Sequence, residues 1–436
     1  MLFDTLSKKL DIPLVQFSNV VNDEAESYTK GIYGVVINNA SFRGLWSRLV
    51  FLFFRRTAIN TRITQLKKKG VDISAVLSVY PDVENPLIVF NQAAKAERYC
   101  HDNVLPKIDR SVKGLVKQVL FLCGKMHPSV DSFILITGNT DKFQQINTML
   151  IEAGLDAQQD LLCITTSNPV FLSFSKNAVP DYVVHHAESG DFELRQEIHQ
   201  TLTSFVSTPL AKIKKDQEYY FVESGLPGKP WFQLLKDNSI SMGDIKQRAL
   251  TTLKEFDKKI QTNSNWINSI DVIAEFTRQF EQSHSIRQFD QAVVDACAEL
   301  VNSLPEKYLV QGTWQHGDYC INNLIFSEEQ TYIIDFEEFG DTLMPLQDIF
   351  SLALSFYIQR ETQTLDLLAK DLTYCLQYTD QKFNPLLPML FVYHLLFRLG
   401  KWGENPNRRF ICEWLQNILI EFNKNPLLLF SNDLVD

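Results

Sequence analysis

The chain has 436 residues, room for roughly two or three domains of about 150 residues each, and its 45% hydrophobic and 22% charged content excludes a largely disordered or low-complexity protein. A net charge of −10 argues against nucleic acid as a partner. Seven cysteines, odd in number and without a CxxC pair, suit reduced thiols in the cytoplasm, the expected compartment, and exclude a disulfide framework or a zinc site.

Residues 33–38, YGVVIN, are apolar and β-branched and predict a buried strand. A helical stretch from 42 to 69 follows and stops at Gly70. It contains the longest apolar run, 49–54, bracketed by Arg48 and Arg55–Arg56. That run is far short of the ~20 residues a spanning helix needs, so no transmembrane segment is expected. It reads as a core helix, with contact to a membrane surface as the alternative. Residues 1–13 lack the apolar core of a signal peptide. Strands are predicted at 73–80 and 87–90, with a turn at Pro81-Asp82 between them and a helix over 92–103 after them.

From about residue 130 the pattern shifts. A strand at 133–137 and a helix at 142–153, closed by Gly154, lead into short strands at 161–165, 170–175, 182–186 and 218–223. A helix over 192–205 separates the last two. This predicts a small antiparallel sheet with one helix packed on it. Beyond 244 the segments are helical: 244–263, 270–283, 287–303, 346–358, 363–376, 386–400 and 408–423, interrupted by a strand–loop–strand island at 311–340. The expected architecture is α+β: an N-terminal α/β extension over 1–125, a small β lobe over 126–240 and a helical lobe over 241–436.

The island carries the chemistry. No Lys or Arg lies between Lys307 and Arg360, a stretch holding eight carboxylates. Such a stretch is either a solvated acidic face or a site for Mg²⁺ or a cationic substrate. Within it, His316-Gly317-Asp318 precedes Asn323 by five residues from the aspartate, and the apolar strand ending in Asp335 and Glu337 follows. Phosphoryl transfer explains the spacing. Asp318 can take or orient the proton of an attacking hydroxyl, Asn323 offers an amide oxygen to a metal, and Asp335 supplies a carboxylate to Mg²⁺.

The block resembles the H-G-D-x-x-x-x-N loop and I-D-x-E strand of aminoglycoside phosphotransferases and choline kinases, relatives of protein kinases. The resemblance implies a bilobal protein kinase-like fold, ATP and Mg²⁺ as cofactors, and a small-molecule hydroxyl as acceptor. It makes Asp318 the catalytic base, His316 a support for the loop, Asn323 and Asp335 the metal ligands, and Glu337 an aid to metal or substrate. Asp348, after Pro345, would brace the loop from a helix N-terminus. Upstream, Glu223-Ser224-Gly225 and the following Leu-Pro-Gly match the hinge whose backbone faces adenine, and Glu197 matches the glutamate of the small-lobe helix. Residues 165–168 fall where the phosphate-covering loop is expected, but without a glycine.

One departure stands out. The strand that normally carries a lysine reads Tyr182 to Ala187, with His185, or His186 one position on, at the lysine site. Either the histidine substitutes, or Lys176 reaches in, or nucleotide binding is weakened and the domain serves as a kinase-like scaffold. For the acceptor, Trp314, Tyr319, Phe339, Tyr357, Tyr393 and Trp402 together with Glu337, Glu338 and Asp341 suggest an amino sugar or amino alcohol, held by ion pairing and cation–π contact. The same aromatics also fit a helical core. Separately, Lys67 to Gly70, Tyr80-Pro81 and Pro86 to Val89 are similar to the C-terminal tail of class I methyltransferases from bacterial polysaccharide gene clusters. That similarity points toward a sugar-derived hydroxyl. No glycine-rich S-adenosylmethionine loop is present, so residues 1–125 read as a structural or docking element.

Overall fold

The structure is a computed structural model that describes residues 4–10, 12–17, 33–38, 41, 55–81, 83, 86–91, 96, 99, 132–137, 142–156 and 160–165. From 169 onward it describes all residues except 176–178, 188, 189, 216, 237, 238, 361, 378, 404–407, 425–429 and 431–436. The apolar run 49–54, most of the helix expected over 92–103, Lys176 and residues 166–168 lie outside the described residues. The chain forms two compact units, one of Met1–His199 with Ser207–Pro227, the other of Gln200–Val206 with Gly228–Asp436.

The first unit is built on strands. In chain order its elements are α1 (Asp4–Leu10), β1 (Leu14–Gln16), β2 (Gly34–Ile37), α2 (Arg55–Lys68), β3 (Ile73–Tyr80), β4 (Ile88–Asn91), β5 (Ser132–Thr137), α3 (Lys142–Glu152), β6 (Asp160–Ile164), β7 (Val170–Phe174), β8 (Tyr182–Ala187), α4 (Asp191–Leu202), β9 (Pro209–Lys215) and β10 (Glu218–Ser224). All ten strands join one sheet in the order β1-β2-β5-β3-β4-β6-β7-β8-β10-β9. Among the described residues, only β1–β2 pairs in parallel.

The two faces of the sheet follow the two-residue period of its strands. Val35, Ile37, Phe133, Leu135, Leu162 and Leu172 pack on one side. Val36, Ile134, Ile136, Leu161, Cys163 and Val222 pack on the other. Strand β5 lies between β2 and β3, so strands from before and after residue 125 join one sheet.

The second unit is helical: α5 (Trp231–Lys236) after β11 (Lys229–Pro230), α6 (Met242–Ile260), β12 (Ile267–Asp271), α7 (Val272–Arg287), α8 (Gln291–Asn302), β13 (Leu309–Thr313), β14 (Leu324–Phe326), β15 (Thr331–Ile333), α9 (Gln347–Ile358), α10 (Leu365–Leu376), α11 (Leu387–Trp402) and α12 (Arg409–Lys424). Helix α6 opens with a capping box in which Ser241 and Asp244 satisfy each other's backbone N–H. Helix α11 is apolar nearly all round and correspondingly buried from Leu387 to Gly400, save Pro388. Against this helical mass the β12–β13 ladder and the β11–β14–β15 sheet present one loop, residues 314–323, and the segment after β15. The mixed α+β class expected from the sequence is the one observed.

Candidate active site

The loop after β13 is held from inside. Asp348, in the first turn of α9 and buried, accepts the His316 N–H at 2.7 Å on Oδ2 and the Gly317 N–H at 3.0 Å on Oδ1. Burial pushes its carboxyl up to about 7, against the pull of the two N–H donors. Gly317 has φ +86°, and a Cβ there would stand 2.4 Å from the Glu338 carbonyl oxygen, so only glycine fits this turn.

The buried His316 ring spans the site. Its Nδ1 accepts the Asp318 N–H at 3.3 Å, which leaves the proton on Nε2 to donate to the Ile334 carbonyl at 3.0 Å. The loop bearing Asp318 is thereby tied to the residue that precedes Asp335.

Asn323 repeats the connection. Its side-chain amide donates to the Asp318 carbonyl at 2.9 Å and to Oδ2 of Asp318 at 3.4 Å, while its backbone carbonyl accepts the Ile334 N–H at 3.0 Å. With its amide nitrogen so used, the remaining side-chain atom of Asn323 is an acceptor oxygen. Asp335 follows in a left-handed conformation, φ +66°, uncommon for a side-chain-bearing residue and frequent where a functional group must be aimed. Asp335 and Glu337 are both exposed.

Sequence reasoning missed the cation of this site. Arg398, on α11 and 2% exposed, reaches Oδ1 of Asp318 at 3.4 Å and the Ser351 hydroxyl at 2.8 Å, and it donates to the Gly317 carbonyl and to Glu338. Burial raises the Asp318 carboxyl above its ordinary value; Arg398 opposes the rise and Glu338 adds to it. Burial would also raise Glu338, but Arg398 and Lys401 bring it below the ordinary range. A lone arginine in the apolar run from Leu387 to Trp402 was the available signal.

The aromatics suggested for substrate are largely core. Tyr319 is buried and donates to the Ala249 carbonyl at 2.9 Å, and Tyr393 is buried and donates to Glu275 at 2.9 Å. Phe339 and Tyr357 are buried as well, and Trp314 stacks on Trp266 with ring centroids 5.9 Å apart. Trp402 carries the Arg398 and Arg408 guanidiniums at 4.6 and 4.8 Å from its centroid.

In the first unit, His185 on β8 faces Glu223 across 3.6 Å and stacks on Phe221, ring centroids 4.7 Å apart. Arg195 on α4 pairs with the other oxygen of Glu223 at 3.9 Å and stands 5.5 Å over Phe221. Burial alone would raise the Glu223 carboxyl, but His185, Arg195 and Ser207 override it and bring it down to about 2. The histidine at the lysine position is thus engaged with Glu223, and an arginine unforeseen from the sequence joins it from α4. His186 points to the other face, against Tyr220. Glu197 is half-buried on α4.

At the hinge, the Ser224 N–H donates to the Thr208 carbonyl and the Gly225 N–H to the Asp181 carbonyl, at 2.9 and 2.8 Å. A Cβ on Gly225 would meet the Pro180 carbonyl oxygen at 1.7 Å. Close packing therefore requires glycine here, and the N–H groups of Ser224 and Gly225 are already used within the chain. Thr165 anchors the start of the β6–β7 connection by donating to the Leu87 and Pro86 carbonyls.

An oxygen-only pair, Asn323 and Asp335, suits Mg²⁺, which takes one or two protein oxygens and fills its remaining positions with water and phosphate oxygens. Among the described residues no cluster of three His, Cys, Asp or Glu makes a complete protein cage. Nor is any described helix long and apolar enough to cross a membrane.

A search of curated proteins found no match. Among solved structures, the GDP complex of wild-type aminoglycoside 2'-phosphotransferase-IIIa is 14% identical, covering 65% of this chain and 99% of that one at a TM-score of 0.46. Glucosamine kinase with glucosamine, ADP and inorganic phosphate is 12% identical, covering 64% and 77% at a TM-score of 0.30. Residues 176–381 match the phosphotransferase enzyme family, a span that runs from the β7–β8 connection through the Asp318 loop and Asp348 to just past α10. The chain carries a domain of the phosphotransferase enzyme family.

Proposed function

We propose that this domain transfers the γ-phosphoryl group of ATP to a hydroxyl of a small, sugar-like molecule, with Mg²⁺ as cofactor and Asp318 as base. The observation that carries the reading is the double tie of the Asp318 loop to the Asp335 segment, through the His316 ring and through Asn323. It binds a proton acceptor and two oxygen ligands into one hydrogen-bonded piece.

In the reaction the acceptor oxygen bonds to the γ-phosphorus, the bond to the β–γ bridging oxygen breaks, ADP leaves, and the hydroxyl proton passes to the Asp318 carboxylate. Asn323 and Asp335 would hold Mg²⁺, which neutralises phosphate charge when bound. Asn323 also fixes Asp318 by its amide. His316 stays neutral and structural, because one ring nitrogen accepts from a backbone N–H. The raised carboxyl of Asp318 is better matched to taking a proton than an exposed aspartate would be. Glu337, exposed and two residues beyond Asp335, assists at the metal or the acceptor. The segment Glu223-Ser224-Gly225 would meet the nucleobase through carbonyls, since two of its N–H groups are used. His185, Arg195 and Glu197 would form the charged wall of the nucleotide half-site. ATP as donor accords with the cytoplasm expected from the cysteines, and none of those described is in a disulfide.

A second reading, a kinase-like binding module without turnover, draws on β8, where His185 is committed to Glu223 in place of a lysine. One experiment separates the two: Mg²⁺-dependent ATP consumption over sugars, amino sugars and amino alcohols, for the wild type and Asp318→Ala. Turnover lost by roughly 100-fold or more in the variant supports the enzyme. An inactive wild type whose melting temperature does not respond to ATP supports the binding module.

A further inference from the structure

The carboxylates beside Asp318 have the chemistry to grip an ammonium group, but they are already bonded. Glu338 accepts from Arg398, from Lys401 at 3.4 Å and from the Trp402 indole N–H at 3.4 Å. Asp341 accepts from Lys401. The Trp402 ring carries two internal guanidiniums. A cationic acceptor would have to displace Arg398 or Lys401 to pair with these carboxylates. Glu337 belongs with Asp335, on the segment assigned to the metal.

Arg408 is the cation left over. It stands half-buried over Trp402, whose other guanidinium, Arg398, touches Asp318. Arg408 forms no ion pair with any carboxylate among the described residues, although its charge is felt at Asp318. A half-buried guanidinium that keeps its donors without a carboxylate is a ready fork for an oxyanion.

Resting on the phosphotransferase reading, we infer that the acceptor is an anionic hydroxyl compound, carrying a carboxylate or phosphate that Arg408 binds while Asp318 takes its hydroxyl proton. Such an acceptor, brought against a triphosphate, needs a cation on its own side, and Arg408 supplies it. Carboxylate and phosphate share this chemistry, so both belong in the test.

The full chain is assayed for Mg²⁺–ATP consumption with gluconate and ribose 5-phosphate as anionic acceptors, ribose as neutral, and glucosamine and ethanolamine as cationic. Binding of each acceptor without nucleotide is measured by calorimetry. Wild type, Arg408→Ala and Arg408→Lys are compared, after circular dichroism shows all three folded. The expected result is binding of at least one anion, with its affinity and KM weakened roughly tenfold or more in Arg408→Ala and partly restored in Arg408→Lys, kcat moving less. Best turnover on ribose or an amine, no binding of either anion, or anion affinity unchanged in Arg408→Ala would overturn the inference. Failure of the phosphotransferase reading looks different: no ATP consumed with any acceptor, while the Arg408-dependent anion binding remains.

Discussion

Replacing Arg398 by alanine is the most informative perturbation of the second unit. The substitution strips a donor from the Gly317 carbonyl, Asp318, Glu338 and Ser351 at once. Removing one partner of a buried charge pair costs about 3–5 kcal/mol. The carboxylate side chains of Asp318 and Glu338 keep 20% and 14% exposure, so water recovers part of the loss and the lower end, about 3 kcal/mol, applies. At roughly 2–4 °C per kcal/mol for a domain of this size, thermal unfolding should occur about 6–12 °C lower. A second readout separates electrostatics from packing. Arg398 holds the Asp318 carboxyl down, so its removal lets that carboxyl rise. With Asp318 as the proposed base, turnover requires it ionised, hence the acid limb of the kcat profile moves to higher pH in Arg398→Ala and stays near its place in Arg398→Lys. A melting temperature within about 2 °C of wild type, together with an unmoved acid limb, would refute the assignment of Arg398 as the internal counter-charge.

Gly317→Ala would force a side chain into the Glu338 backbone at a positive φ. We expect kcat to fall by about 100-fold, with nucleotide affinity within threefold, as read by steady-state kinetics and calorimetry. Glu223 gives a pH signature: its carboxyl titrates near 2 when folded and near 4.5 when unfolded, so its contribution is complete above 4.5 and drains away as pH falls toward 2. Glu223→Gln should flatten the decline of melting temperature across that window, and an unchanged slope would remove the His185–Glu223–Arg195 cluster from the account.

What could be seen in the sequence was what is local in the chain. Asp318 and Asn323 share one loop, Asp335 ends the next hairpin, and Asp348 starts the next helix, so motif spacing located them all. Arg398 is 80 residues from Asp318 and sits in a helix that otherwise reads as core. Nothing in its spacing ties it to the loop. The pairing of β5 between β2 and β3 depends on contacts across masses of intervening chain, and periodicity finds strands without their neighbours. The sequence does not predict strand β9, because Lys212, Lys214 and Lys215 make Pro209–Lys215 look like a solvated connection, although it pairs with β10 along its length apart from one register shift between Val222 and Glu223. Tyr319, Tyr393 and Phe339 are equally good as cage or core on composition alone. Only their burial assigns them to the core. His185 could be placed at the lysine position, but its partner Glu223 lies on a neighbouring strand and Arg195 on a helix, a cluster made by folding.

The most direct test of the central claim is ³¹P nuclear magnetic resonance of a reaction with Mg²⁺, ATP and the best acceptor. The wild type should convert the γ-phosphate resonance into a phosphate ester on the acceptor. Folded Asp318→Ala, still binding ATP, should give none on the same timescale. Ester formed by the variant at a rate within a few-fold of wild type, or release of free phosphate alone by the wild type, would contradict the account.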